Sequence, residues 1–178
     1  MKIVDYHLIE TIMKYTKDIK LIRDVRLWDK VVLIDGLGRS GKSILSPILA
    51  SFENVEIERI EPTFERIPVL LSFGKISKDA AIQWLQMEVD MKLYESMIGR
   101  NTNFRFKDHS SVFNNPFKFE YFKRIFGKDG NVIVKKIQKI KPVFQITLHD
   151  TLRNIDIYFE AFGENVYIIE MVKNPVDL

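Results

Sequence analysis

The run Val31-Val-Leu-Ile-Asp35, followed at once by Gly36-Leu-Gly-Arg-Ser-Gly-Lys-Ser43, constrains this chain more than anything else in it. An unbroken apolar run ending in an acid reads as a buried parallel strand, which is covered on both faces and needs no polar alternation. The glycines then permit a tight turn, and Ile44, Leu45, Ile48, Leu49 and Ala50 open a helix behind it. Residues 36–43 match GxxxxGK[ST] at every fixed position, in the strand–turn–helix setting that gives the pattern its meaning. Backbone N–H groups turned inward between glycines form a nest for anionic oxygens. The helix N-terminus adds partial positive charge. Lys42 is placed to reach a terminal phosphate, and the Ser43 hydroxyl to take Mg²⁺ or a phosphate oxygen. Gly36, Gly38, Arg39, Ser40, Gly41, Lys42 and Ser43 are therefore expected to bind a nucleotide-type cofactor. Pro47 removes one donor from the early helix and bends its first turns without undoing the loop.

Around this P-loop the pattern predicts alternating strands and helices. Leu8, Ile9, Ile12, Met13, Tyr15, Ile19 and Ile22 fall at helical spacing, which predicts a helix in the first 25 residues. Val55 to Arg59 alternates like a strand. A long helix is expected over Ser77 to Ile98, capped by Ser77, with Ala81, Trp84, Leu85, Val89, Leu93 and Met97 on its apolar face. After a polar loop, Gly99 to Ser111, two helices are expected at about Phe117–Phe126 and Gly130–Ile140. Val143 to Leu148 reads as a strand ending in His149-Asp150, Thr151 to Phe162 as a helix, and Val166 to Val172 as a last strand running into Lys173-Asn-Pro-Val-Asp177. Such an order implies a three-layer, P-loop NTPase-like α/β fold with a central parallel sheet. Residues 1–178 form a single domain on this reading, with no linker and no internal repeat. Ligands of such sheets gather at the carboxyl ends of the strands, and the segments at Gly36, His149 and Lys173 all fall there.

Composition narrows the chemistry. The chain has no cysteine, so disulfides and thiolate metal sites are excluded, and the three histidines (His7, His109, His149) form no HExxH-like pair. No metal site is expected. The absence of a signal-like N-terminus or of an uncharged apolar run of about 18 residues argues for a cytoplasmic protein without a membrane span. A net charge of +3 is too small to argue for nucleic acid. Its distribution is uneven: Lys118 to Lys141 holds eight basic residues against two acids, a net +6, leaving −3 elsewhere. Such runs are usually solvated helix faces. Phe117, Phe119, Tyr121, Phe122 and Phe126 are read as core rather than as an acceptor platform. Arg100, Arg105 and Lys107 are candidate anion contacts in the polar loop, with His109 a reserve base.

The closing segment, taken with the P-loop, resembles the sulfotransferases that depend on 3′-phosphoadenosine-5′-phosphosulfate. In that family a strand ends in a histidine, a helix follows, and the next strand ends in Arg-Asn-Pro-x-Asp. Here stand Ile146-Thr-Leu-His149, a helix ending Glu160-Ala-Phe-Gly163, then Val166-Tyr-Ile-Ile and Lys173-Asn-Pro-Val-Asp177. Gly38-Arg-Ser-Gly-Lys-Ser43 aligns with the family's Pro-Arg/Lys-Ser-Gly-Thr-Thr loop. The resemblance covers the P-loop and about the last 35 residues, and only loosely the middle. It implies sulfonate transfer to a hydroxyl or amine acceptor, a small molecule or a glycan. Arg39 to Ser43 would hold the 5′-phosphosulfate, Arg39 would steady the departing bridging oxygen, His149 would be the general base, and Lys173 would meet the 3′-phosphate. Lys42-Ser43 departs from the family's Thr-Thr, and Lys173 offers a point charge where the family has a bidentate fork. The family's later serine and glycine-rich cofactor segment would lie past Leu178, so the chain is expected to lack the C-terminal part of that fold.

Two other readings stay open. The intact Lys42-Ser43 suits a P-loop kinase or NTPase using ATP and Mg²⁺, with Asp150 assisting the ion and Arg100 or Arg105 acting as lid arginines. A nucleotide- or partner-binding fragment without activity would use Lys118 to Lys141 as its contact surface.

Overall fold

The computed structural model describes residues 19–149 and 151–174. It contains strands β1 (Lys30–Asp35), β2 (Val143–Thr147) and β3 (Val166–Glu170). Six α-helices accompany them among the described residues: α1 (Lys42–Leu49), α2 (Pro62–Ser72), α3 (Lys78–Met97), α4 (Lys118–Ile125), α5 (Asn131–Ile140) and α6 (Asp156–Phe162). The strands pair in parallel in the order β2–β1–β3, with Leu33 of β1 opposite Ile146 and Ile168. The architecture is α/β, built on a three-stranded parallel sheet with β1, the strand before the glycine-rich loop, in the middle.

Side-chain alternation divides the sheet's two faces. Val31 and Leu33, with Phe144, Ile146 and Val166, join one buried core with Phe64 and Ile67 of α2, a row of α3, and Tyr158 and Phe162 of α6. The α3 row is Ala81, Leu85, Val89 and Leu93, four residues apart, as a helix facing a core requires. Trp84 does not join it. That residue is 38% exposed, and its indole N–H donates to Glu88 Oε1 on the outer side at 3.1 Å. On the opposite face Gln145 Nε2 donates to Ser46 O of α1 (3.1 Å) and to Glu56 O (2.8 Å), so polar bonds help seat α1 there.

Several expectations are revised. The predicted strand at Val55–Arg59 is an extended edge held to β2 by two isolated parallel bridges, Val55 to Val143 and Arg59 to Ile146. It spends one more residue than β2 between those bridges, and a bulge of that kind interrupts a ladder. Of the predicted N-terminal helix, Leu8 to Tyr15 lie outside the described residues, whereas residues 19–28 are irregular and Ile19 and Ile22 are exposed. The segment Thr151–Phe162 starts as a 3₁₀ turn (Leu152–Asn154) and becomes α-helical only at Asp156. Phe117, Phe119 and Phe126, read as core, are exposed; Tyr121 alone of the five is buried, with Phe122 partly so.

Helix α2 went unread because it carries two prolines. Pro62 occupies the first turn, where its missing N–H costs nothing. Pro68 sits inside the helix and denies the Phe64 carbonyl its usual partner. The buried Tyr158 hydroxyl donates to that carbonyl at 2.8 Å and restores the lost bond from a different helix. Burial, with Asp35 and Glu65 nearby, pushes the Tyr158 pKa up, which keeps the hydroxyl a donor.

Candidate functional site

The loop after β1 starts from a backbone conformation open mainly to glycine. Gly36 has φ 130°, and a Cβ there would stand 2.4 Å from Met171 O. The close approach arises because Met171 N–H donates to Asp35 O at 2.9 Å, carrying the β3 pairing to the last residue of β1, just before the loop. Gly41 (φ 101°) caps α1 with no side-chain bond, and Arg39 takes a left-handed φ of 65°. The amides of Leu37, Gly38, Arg39, Gly41, Lys42 and Ser43 donate to nothing among the described residues. The Ser40 hydroxyl is buried without a partner. Buried polar atoms are nearly always satisfied. A site with this many open donors fits an anion with several oxygens, as the 5′-phosphosulfate end of the expected cofactor has.

Lys42 is 6% exposed and points back across the loop. Its ammonium donates to Gly36 O and, at 2.6 Å, to Leu148 O at the end of β2. Burial lowers the Lys42 pKa; Asp35, then Glu65, Glu170 and Glu58, oppose that shift. An arriving anion would favour the charged form further.

The neighbouring strand ends are tied to the same spot. Leu148 N–H donates to Ile34 O at 2.9 Å, carrying the β2–β1 pairing up to His149. Asp35 is fully buried and uses both carboxylate oxygens: Oδ1 accepts Gly36 N–H at 2.8 Å, and Oδ2 accepts Thr151 N–H at 2.7 Å and the Thr151 hydroxyl. One carboxylate thus holds the start of the glycine-rich loop and the residue two beyond His149.

Glu65, in the first turn of α2, accepts the His149 backbone N–H at 2.7 Å and its Nδ1 at 3.0 Å, both on Oε1. A carboxylate only accepts, so Nδ1 carries the hydrogen, and in the neutral ring Nε2 is then the nitrogen with the lone pair. The imidazole is half-exposed, its side chain 54% accessible, so Nε2 can meet a substrate. A ring oriented by a carboxylate, with its far nitrogen open, is suited to take a proton.

Most of the expected loop and strand-end residues come together here. Gly36, Gly38, Arg39, Ser40, Gly41, Lys42 and Ser43 form one continuous loop; Lys42 touches the strand end that leads into His149, and Lys173 lies two residues past Met171. Arg39 and Lys173 are both exposed at this end of the sheet. Asp150 and Pro175–Leu178 lie outside the described residues. The polar loop 99–111 is occupied with its own bonding: Asn103 Nδ2 donates to Asp108 and Ser110, and Arg105 pairs with Asp108 at 3.8 Å. Sequence reasoning missed Glu65, Asp35 and Thr151. Asp35 had a signal, as the acid closing an apolar strand directly before the loop; Glu65 had none.

A cavity of about 520 Å³ lies elsewhere, between α4, α5 and the turn 53–56. Its floor carries Glu56, which is buried and accepts both Arg124 guanidinium nitrogens, at 2.7 and 2.8 Å, and also the Ser96 hydroxyl. Burial pushes the Glu56 carboxyl up, but the Arg124 charge and these bonds outweigh it and hold the pKa below the ordinary value. Among the described residues no group of three His, Asp or Glu is placed to hold a metal, and no helix is long and apolar enough to cross a membrane. Set beside known proteins, the chain matches no family model, no curated protein and no solved structure.

Proposed function

We propose that this chain is a sulfotransferase-like protein, a single domain of the three-layer P-loop type, that moves a sulfonate group onto a hydroxyl or amine acceptor. The observation that carries the reading is the joining of an open anion nest to a histidine that a carboxylate orients, through the Lys42–Leu148 and Asp35–Thr151 bonds. When bound, 3′-phosphoadenosine-5′-phosphosulfate supplies the sulfonate and departs as the 3′,5′-bisphosphate. The open amides, Ser40 and Lys42 would hold the 5′-phosphosulfate, and Arg39 would neutralise charge growing on the bridging oxygen. His149 Nε2 would take the acceptor's proton as the acceptor oxygen or nitrogen bonds to sulfur, while Glu65 steadies the resulting imidazolium. Lys173 would meet the 3′-phosphate. In such group transfers, positioning and charge stabilisation supply most of the rate.

The complete GxxxxGKS pattern favours a second reading, a P-loop kinase or NTPase using ATP and Mg²⁺. Calorimetric titration separates the two. Binding of adenosine 3′,5′-bisphosphate without metal, tighter than that of ATP·Mg²⁺, supports sulfonate transfer; the reverse preference supports the kinase, and binding of neither removes both.

A further inference from the structure

We propose that the face formed by α4 and α5 docks on an anionic lipid surface. Helix α4 turns Tyr121 and Arg124 inward, toward Glu56. Its outer side carries Phe119, Lys123 and, just past the helix end, Phe126, at spacings of four and three that place them in one row. Phe119 is 67% exposed and Phe126 89%, an uncommon degree of solvent contact for phenylalanine. On α5 the exposed residues include Val132, Lys135, Lys136 and Lys139, while Ile133 and Ile137 are buried. The two rows adjoin, because Lys123 and Glu120 of α4 and Lys136 of α5 line the same cavity. The patch is therefore apolar tips among lysines, within a stretch of net charge +6.

The kind of basic residue identifies the partner. Arg124 is the stretch's one arginine, and its guanidinium is spent on Glu56. What faces solvent is lysine, a flexible point charge that suits a diffuse negative surface, whereas bidentate reading of nucleic acid or sulfated glycan calls for arginine. Protruding phenylalanines beside lysines are the composition of segments that settle at the bilayer interface. Glu120, paired with Lys123 at 2.7 Å, offsets that lysine, and Asp129 is the stretch's other acid, which leaves the net +6.

The placement leaves the phosphate loop free. Asn54 and Pro142, which line the cavity, stand beside the start of β2, whereas Gly36 follows the end of β1. In parallel strands these are opposite ends, roughly 15 Å apart along the sheet.

The test is co-sedimentation of the full chain with phosphatidylcholine vesicles, with and without one-third phosphatidylserine. Binding is expected only to the anionic vesicles, to weaken in high salt as screening shortens the reach of the lysines, and to fall about tenfold or more in the exposed double variant Phe119→Ser/Phe126→Ser. A further drop, of roughly fivefold per lysine, is expected from Lys135→Ala and Lys139→Ala. Lys42→Ala should bind vesicles as the parent does, which keeps this result separate from the proposed activity. Absence of binding to anionic vesicles overturns the proposal. So does binding that the phenylalanine variant leaves unchanged, or a preference for heparin or single-stranded DNA over vesicles.

Discussion

The two ends of this molecule treat buried charge in opposite ways. At the start of the sheet, Glu56 and Arg124 satisfy one another through a two-pronged pair, with Ser96 closing the set. At the strand ends, Lys42 is also buried but rests on two backbone carbonyls, beside a hydroxyl and a run of amides that have no partner among the described residues. The first arrangement is complete and holds a fold. The second leaves donors open among the described residues, which is what the proposed anion site would need. Under the proposed function, the contrast is between a buried ion pair that satisfies itself and a loop whose contiguous donors stay open.

Four experiments break or sharpen that contrast. Under the proposed activity, His149→Ala should lower turnover by about two to four orders of magnitude, measured as sulfonate transfer, with bisphosphate affinity nearly unchanged. Glu65→Gln should give a smaller loss. Unchanged turnover in His149→Ala removes the base from the site. At the other end, Glu56→Ala strands a buried guanidinium and should cost about 3–5 kcal/mol in urea denaturation, with little effect on turnover measured where the variant stays folded. Because the Glu56 pKa is depressed in the folded state, its stabilisation is present above the ordinary carboxyl value and fades as pH falls through the lowered one. The variant should lose that part of the acid dependence.

A third experiment reads Lys42. Its replacement by alanine should weaken bisphosphate binding by about 10- to 100-fold in calorimetry. Burial lowers its pKa and a bound anion raises it, so affinity should decline with rising pH sooner than an ordinary lysine, near 10.5, would dictate. An affinity flat up to that value contradicts the burial seen for this side chain. The smallest effect belongs to Tyr158→Phe, which leaves the Phe64 carbonyl unsatisfied and should cost about 1–3 kcal/mol of stability. A neutral result there means that water replaces the hydroxyl.

What could be read in advance follows from how local each signal is. The P-loop is contiguous, and its strand, turn and helix are all encoded within about 20 residues; α3 announced itself by an unbroken row and a serine cap. Glu65 could not be seen, because it meets His149 across 84 positions and rides on a helix whose two prolines disguise it. Trp84 and the phenylalanines of α4 misled for another reason. Large apolar residues at helical spacing imply a core only when something packs on that side, and the sequence does not say which side is covered. Val55–Arg59 carries a strand's alternation, yet the extra residue between its two bridges limits it to a broken edge.

Asp35 has one consequence for timing. Since its two oxygens grip both Gly36 and Thr151, and Lys42 holds Leu148, the glycine-rich loop and the end of β2 are expected to shift together. Settling of an anion against the loop would then also set the angle at which the imidazole meets an incoming acceptor. Asp35→Asn should accordingly show up as a scatter of ring positions, and as slower turnover at an almost intact affinity.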